Sequence, residues 1–203
     1  MSEADRSGDH DEQKGPWPAV LTWRAHDEPR MESVRVQLSG NRIKAYGRIV
    51  NAATSTHPAF SASYDLVTDE HGGTKRLSLT VTSAERERQL SIARDEENMW
   101  LVQEHTGQTR RSAFDGALDV DVLLSPFFNS LPIRRLGLHR GGAAVMLPVV
   151  YVRVLPELSV DVANMSYSPG ADGIKLHSPV AETTLAVDPE GFIVDYPGLA
   201  ARI

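Results

Sequence analysis

Near the middle of the chain lies a segment that reads as a helix with almost no polar side. Ser125 followed by Pro126 is a helix-start signal: Ser can cap orphan amides, and Pro at the first helical position sacrifices no hydrogen bond. Phe127, Phe128, Leu131, Ile133, Leu136 and Leu138 then spread around the whole helical circumference. Such a helix is buried, because no face of it suits water. Pro132 resists a place deep inside a helix, so the expected form is kinked or two-step, from about Pro126 to Leu136. Asn129, Arg134 and Arg135 add polar groups to an otherwise apolar interior. Whatever this chain folds into must enclose that segment.

The material available for the enclosure is strands. Leu118, Val120 and Val122, just before the helix, fall on one strand face, and Asp119 and Asp121 on the other. From Trp17 onward the chain alternates apolar and polar residues, most cleanly at Leu77-Ser-Leu-Thr-Val-Thr82. Ser39-Gly40-Asn41, His71-Gly72-Gly73, residues 95–98 and Asp188-Pro189-Glu190-Gly191 punctuate the strands as turns. Gly141-Gly142 reads as a hairpin turn between Leu138 and Val145. About a dozen strands and one helix result, a mainly β chain. An open sheet of that many strands must curl or close. The simplest arrangement is a long curled antiparallel sheet wrapped around a single buried helix, with Leu136 and the phenylalanines meeting Leu77, Leu79 and Val81.

The remaining composition narrows the function. The chain has 203 residues, and no linker interrupts the pattern after the first segment, so residues 16–203 are expected to form one domain. Residues 1–15 hold five acids and two bases and read as a disordered acidic tail. With no cysteine, thiolate metal sites and a cysteine nucleophile are excluded. A net charge of −6 argues against general nucleic-acid binding. No apolar run approaches the ~20 residues that a membrane-spanning helix needs. No apolar leader opens the sequence, and the expected location is the cytoplasm. There is no Gly-x-Ser-x-Gly elbow and no phosphate-binding loop, and no cofactor is expected.

The candidate site residues cluster in and around the helix. Arg134 or Arg135 could fork onto a phosphate or carboxylate head group. The preferred reading pairs them with Asp119 and Asp121, since a buried arginine needs a partner. Asp119 and Asp121 share a strand face and could form a metal or acid–base pair. No histidine stands at ligand spacing, however: His105 and His139 are each alone. We favour the aspartates as acceptors for the arginines and backbone amides. Asn129 either reads a sugar hydroxyl or caps a neighbouring turn, and the second is favoured. Trp23, Trp100, Tyr64, Tyr151 and Tyr196 are mostly core, with about two of them reaching a pocket. Tyr196, beside Pro197-Gly198, is the one chosen for the rim. His139-Arg140 reads as a solvated pair.

The motifs Asp119-Val120-Asp121, Ser125-Pro126-Phe127-Phe128-Asn129-Ser130-Leu131-Pro132-Ile133-Arg134-Arg135-Leu136 and Asp195-Tyr196-Pro197-Gly198-Leu199 resemble the putative glycolipid-binding family. Trp23, Glu32-Ser33, Tyr64-Asp65, Trp100, Asp115-Gly116, Tyr151 and Pro156-x-Leu158 support the resemblance, which spans Trp17 to Ile203. Phe128, where threonine is more usual, and Ala200-Ala201 depart from it without touching the fold. The resemblance implies a spiral β-roll around one helix, often a homodimer, and by analogy of fold a glycolipid or other amphipathic small-molecule ligand. Three readings stay open. One is a non-enzymatic binding protein using Asn129, Arg134, Arg135, Asp119, Asp121 and Tyr196. The second is a hydrolase or isomerase acting on a glycosyl or lipid substrate. The third is a dimeric structural module whose interior is filled.

Overall fold

A computed structural model describes residues 17–104 and 107–203. The expected acidic tail, residues 1–15, lies outside the described residues, as does His105. The chain first runs through eight strands: β1 (Ala19–Ala25), β2 (Arg30–Ser39), β3 (Arg42–Asn51), β4 (Phe60–Thr68), β5 (Thr74–Ser83), β6 (Glu87–Arg94), β7 (Trp100–Glu104) and β8 (Thr109–Ser112). Then come β9 (Asp119–Val122) and the helix α1 (Pro126–Arg135). Six strands follow: β10 (Val145–Arg153), β11 (Ser159–Gly170), β12 (Gly173–His177), β13 (Glu182–Val187), β14 (Ile193–Tyr196) and β15 (Ala200–Arg202).

All of them belong to one sheet, ordered β8-β7-β6-β5-β4-β3-β2-β1-β15-β14-β13-β12-β11-β10-β9. It does not close, since β8 and β9 are its edges. Two meanders of sequential hairpins are joined where β1 pairs with β15. Every pairing is antiparallel except the last, where β9 runs parallel to β10. The expectation of a wholly antiparallel sheet is corrected there. α1 lies between the two in sequence, which is the crossover a parallel pair needs.

The sheet curls because its strands are one-sided. β3 alternates exposed and buried residues along its whole length, with Ile43, Ala45 and Ile49 pointing inward. The inward face of β1 to β7 encloses Phe127, Phe128 and Leu131 of α1 together with Leu77, Leu79 and Val81. The curl brings the two ends of the sheet together. Arg88 on β6 donates to the carbonyls of Val154 and Pro156, and the Thr74 amide donates to Leu118 O.

β9 and β10 end up inside the winding. All four residues of β9 are buried, and so are Val149 to Val152 of β10. Val120, Val122, Val150 and Val152 face the phenylalanines of α1. Val149 and Tyr151 face the opposite way, into a second core with Met165, Tyr167, Ile174, Leu176 and Ile133. Asp119 and Asp121, in register with Val149 and Tyr151, therefore point into this second core and not into water. The unbroken apolar run at Val149–Val152 is the mark of a strand covered on both faces.

Several local expectations are corrected. α1 is one continuous helix through Pro132; the ring forfeits a single backbone bond without breaking the segment. It ends at Arg135. Leu136 caps it and is 39% exposed, so it does not meet Leu77, Leu79 or Val81. Gly137, in the left-handed region, turns the chain away at that point. Gly141-Gly142 makes no hairpin: residues 138–140 form a 3-10 turn, and the glycines lead into β10. Ser125 occupies the N-cap position, but its hydroxyl bonds elsewhere. The short strands β8 and β15 were not expected. Among the described residues, no helix is long and apolar enough to cross a membrane.

One ion pair ties the end of α1 to the inner strand. Arg135 Nη2 lies 2.6 Å from Asp119 Oδ2, and Arg135 Nε lies 3.1 Å from the same oxygen. Asp119 is fully buried. Arg135→Met leaves that carboxyl without a cation and is expected to cost about 3–5 kcal/mol in denaturant unfolding. The double variant with Asp119→Asn should recover a large part of the loss; a double variant no more stable than Arg135→Met alone would contradict this account.

Candidate functional site

The second core is not completely filled. A cavity of about 420 Å³ opens between β9, the start of α1, β10, the loop at Ser178–Ala181 and the turn joining β14 to β15. Its apolar wall includes Leu123, Leu124, Met165, Val180, Pro197 and Leu199, and its polar groups come from Asp121, Ser125, Asn129, Tyr151, Ser178 and Tyr196. Leu124 at its edge holds a φ of +80°, a backbone region that a branched side chain rarely occupies.

Among the described residues, Asp121 pairs with no arginine. Asn129 Nδ2 donates to its Oδ1 at 3.2 Å, and Asn129 Oδ1 accepts from the Tyr167 hydroxyl at 3.0 Å. Asn129 thus links β9 to β11 across the core. It does not cap a turn, and that expectation is corrected. Tyr151 Oη is buried and has no hydrogen-bond partner among the described residues. Burial raises the Tyr151 phenol to about 12, helped by the negative charge of Asp121. Tyr196 is raised for the same two reasons, against an opposing bond with Ser178.

A second carboxyl lies behind the cavity wall. Glu32 points inward from β2, where its Oε1 accepts from Tyr64 Oη and from Ser125 Oγ, each at 2.6 Å. Among the described residues its Oε2 has no hydrogen-bond partner of ordinary geometry, while the Phe127 backbone also favours the charged carboxylate. Tyr64 reaches Glu32 by leaning over Gly47, where a Cβ would sit 2.0 Å from Tyr64 Cζ. Burial lifts Glu32 to about 7, against the bonds from Ser125 and Tyr64. Burial also lifts Asp121 to about 7, with Glu32's charge as the second cause.

The candidate residues divide between three places. Asp121, Asn129 and Tyr196 border the same cavity, and Tyr151 joins them. Asp119 and Arg135 pair with each other beside the turn at Gly72. Arg134 stacks its guanidinium 4.6 Å over the Phe192 ring and donates to Glu190 O. Neither arginine borders the cavity. The expected pairing of the arginines with Asp119 or Asp121 is met by Arg135 and corrected for Arg134: adjacent helical residues diverge, and only Arg135 faces β9. His139 is not freely solvated: it is partly buried, and Arg140 Nε donates to its Nε2 at 3.1 Å. Glu32, Tyr64 and Tyr167 were missed as polar participants. A signal existed for Glu32, which falls in phase with the buried Val34 and Val36 on a strictly alternating strand. Among the described residues, no group of three or more His, Asp or Glu side chains could hold a metal ion.

The architecture is that of a β-roll: a long sheet wound around one helix, with a partly apolar cavity beside it. The model of the family described as putative glycolipid-binding matches residues 20–202, and the chain belongs to that family. A solved protein of the DUF1089 family from Pseudomonas aeruginosa is similar at 27% identity, with a TM-score of 0.67 over 85% of this chain and 92% of that one. No curated protein matches.

The raised carboxyls give a signed pH effect. The folded protein keeps protons on Asp121 and Glu32 that the unfolded chain releases near their ordinary values of 3.8 and 4.5. Their contribution to stability is fully present at the acidic end and is lost as pH rises from about 4 through about 7. Asp121→Asn should remove its share of this decline, on the order of a few kcal/mol, in unfolding titrations at pH 4.5 and 7.5. An undiminished decline in the variant would count against the assignment.

Proposed function

We propose that the cavity beside α1 binds an amphipathic small molecule of the lipid or glycolipid class. Its polar head would be oriented by Asp121, Asn129, Tyr151 and Tyr196, and its apolar part would lie along Leu123, Leu124, Val180 and Leu199. The observation that carries this reading is the Tyr151 hydroxyl, buried with no hydrogen-bond partner among the described residues, next to an Asp121 that pairs with no arginine there, in a cavity whose wall is otherwise mostly apolar. Its volume falls in the range of about 300–1,000 Å³ usual for small-molecule sites, and a few convergent polar groups in an apolar lining are their common form. Membership of the putative glycolipid-binding family supports the same ligand class. Arg134, Arg135 and Asp119 act in this reading as the frame that holds α1 in place. The cavity weighs against a purely structural module with a filled interior.

Native mass spectrometry of protein purified without detergent is expected to reveal a bound lipid-like species, and a lipid array should identify its head group. Tyr151→Phe separates stability from binding. Removing an unsatisfied buried hydroxyl should raise stability by about 1–3 kcal/mol while weakening ligand retention. A protein that carries no ligand and binds nothing in the array refutes the proposal.

One observation favours a second reading, an enzyme acting on a glycosyl or lipid substrate as a hydrolase or isomerase. Asp121 is held by no arginine, borders an open cavity and titrates near neutrality, the condition for a general acid or base. Turnover of chromogenic glycosides or esters should then inflect near pH 7 and vanish in Asp121→Asn. Turnover that is absent, or unchanged in the variant, excludes it.

A further inference from the structure

A second, larger recess lies on the far side of the turn that walls the inner cavity. It is a cleft of about 890 Å³, formed where the β1–β2 connection meets the ends of β3 and β4. Its floor is one row of inward side chains across the sheet. Arg30 is the register partner of Asn51, and Asn51 is the register partner of Phe60. Leu199 lines the inner cavity, and its carbonyl accepts from two residues of the cleft, the His26 amide and, at 3.5 Å, Arg30 Nη2.

Arg30 is anomalous for a cation in such a place. It is only 6% exposed. Among the described residues it forms no ion pair, and the long bond to Leu199 O is its single side-chain hydrogen bond. The charges of Glu28 and Glu32 favour its cationic form, but burial outweighs them and lowers its pKa. Asn51 beside it has the complementary deficiency. Its Nδ2 donates to Ala52 O, while its Oδ1 is buried without a donor. A buried guanidinium with donors to spare sits next to a buried carbonyl oxygen with none. Both are more than nine-tenths buried, and both line the cleft.

We propose that this cleft is a binding site for a singly charged oxyanion, a carboxylate or phosphodiester, that carries a neighbouring hydroxyl or amide and an apolar chain. The guanidinium fork matches the two oxygens of such a group. Asn51 Oδ1 takes the hydroxyl or amide hydrogen. Phe60, Pro29 and Ala52 supply apolar wall. Charge balance selects a monoanion over a dianion. Arg24 and Arg30 are offset in the lining by Asp27 and Glu28, and His26 is engaged with Asp195 at 2.9 Å. The one buried guanidinium, Arg30, offsets a single negative charge, and the second charge of a phosphate dianion would face Asp27, Glu28 and the nearby Glu32 with no further buried cation in the lining. The site does not rest on the reading of the inner cavity and uses none of its polar groups.

The full-length protein is titrated calorimetrically with octanoate, with dihexanoyl phosphatidylglycerol and with neutral octyl glucoside. Octanoate or the phosphodiester, or both, should bind about tenfold or more weakly to Arg30→Met, while octyl glucoside is insensitive to that change. Arg86→Met, at an exposed ion pair elsewhere, should bind as the wild type does. Which anion responds distinguishes a free carboxylate from a lipid head group. Should Arg30→Met not fold, the Arg30 Nε resonance of the wild type is followed by NMR and must shift on addition of the anion. Unchanged affinity in a folded Arg30→Met, or an Arg30 resonance that does not move, overturns the proposal.

Discussion

Phe127 is the point on which the two halves of the sheet converge. Its ring lies 6.4 Å from Trp23, 6.2 Å from Tyr64, 5.6 Å from Phe128 and 6.3 Å from Phe192. Trp23 and Tyr64 come from the first meander, and Phe192 comes from the stretch just before β14 in the second. A helix that is apolar all round cannot rest on one sheet face, because its opposite side would remain wet. The sheet has to continue past it and return, and that requirement produces the winding that puts β9 and β10 between two cores. Trp23 adds a directional lock, since its indole nitrogen donates to Ile193 O across the roll at 2.9 Å.

The same winding gives two aspartates of one strand different chemistry. Asp119 and Asp121 differ by one strand repeat and share a face, yet Asp119 meets Arg135 while Asp121 meets only an amide. Both are desolvated by the second core. A paired buried carboxylate works as structure, whereas an unpaired one stays protonated toward neutrality and keeps a transferable proton. The cavity adjoins the second of these, next to a phenol that lacks a partner. The carboxyl that borders the cavity is thus separated from the one that anchors the helix.

The parts of this fold that local periodicity encodes were legible in the sequence. β5 was readable from Leu77-Ser-Leu-Thr-Val, and the buried helix from its apolar circumference. β8 was not, because Thr-Arg-Arg-Ser has no apolar phase and pairs only as an edge. The parallel direction of β9 was equally hidden, since alternation carries no information about the neighbouring strand. Asp121, Asn129 and Tyr196 were picked from the motif, but the pairing of Arg134 with an aspartate failed on helix geometry. Glu32 was overlooked because a charged residue on an alternating strand is ordinarily placed on the wet face. Its phase with Val34 and Val36 says otherwise.

The seam between β1 and β15 comprises three residue pairs: Trp23 with Arg202, Arg24 with Ala201 and Ala25 with Ala200. Each meander on either side is assembled from neighbouring hairpins, whose loops are short and close quickly. The seam joins residues almost a whole chain length apart, and loop closure over that span carries the largest entropic cost of any pairing in the sheet. Wrapping is therefore expected to come last in the assembly of this molecule. Until it occurs, the phenylalanines of α1 lack half of their shelter, so the period of greatest exposure to self-association ends only when these three pairs form.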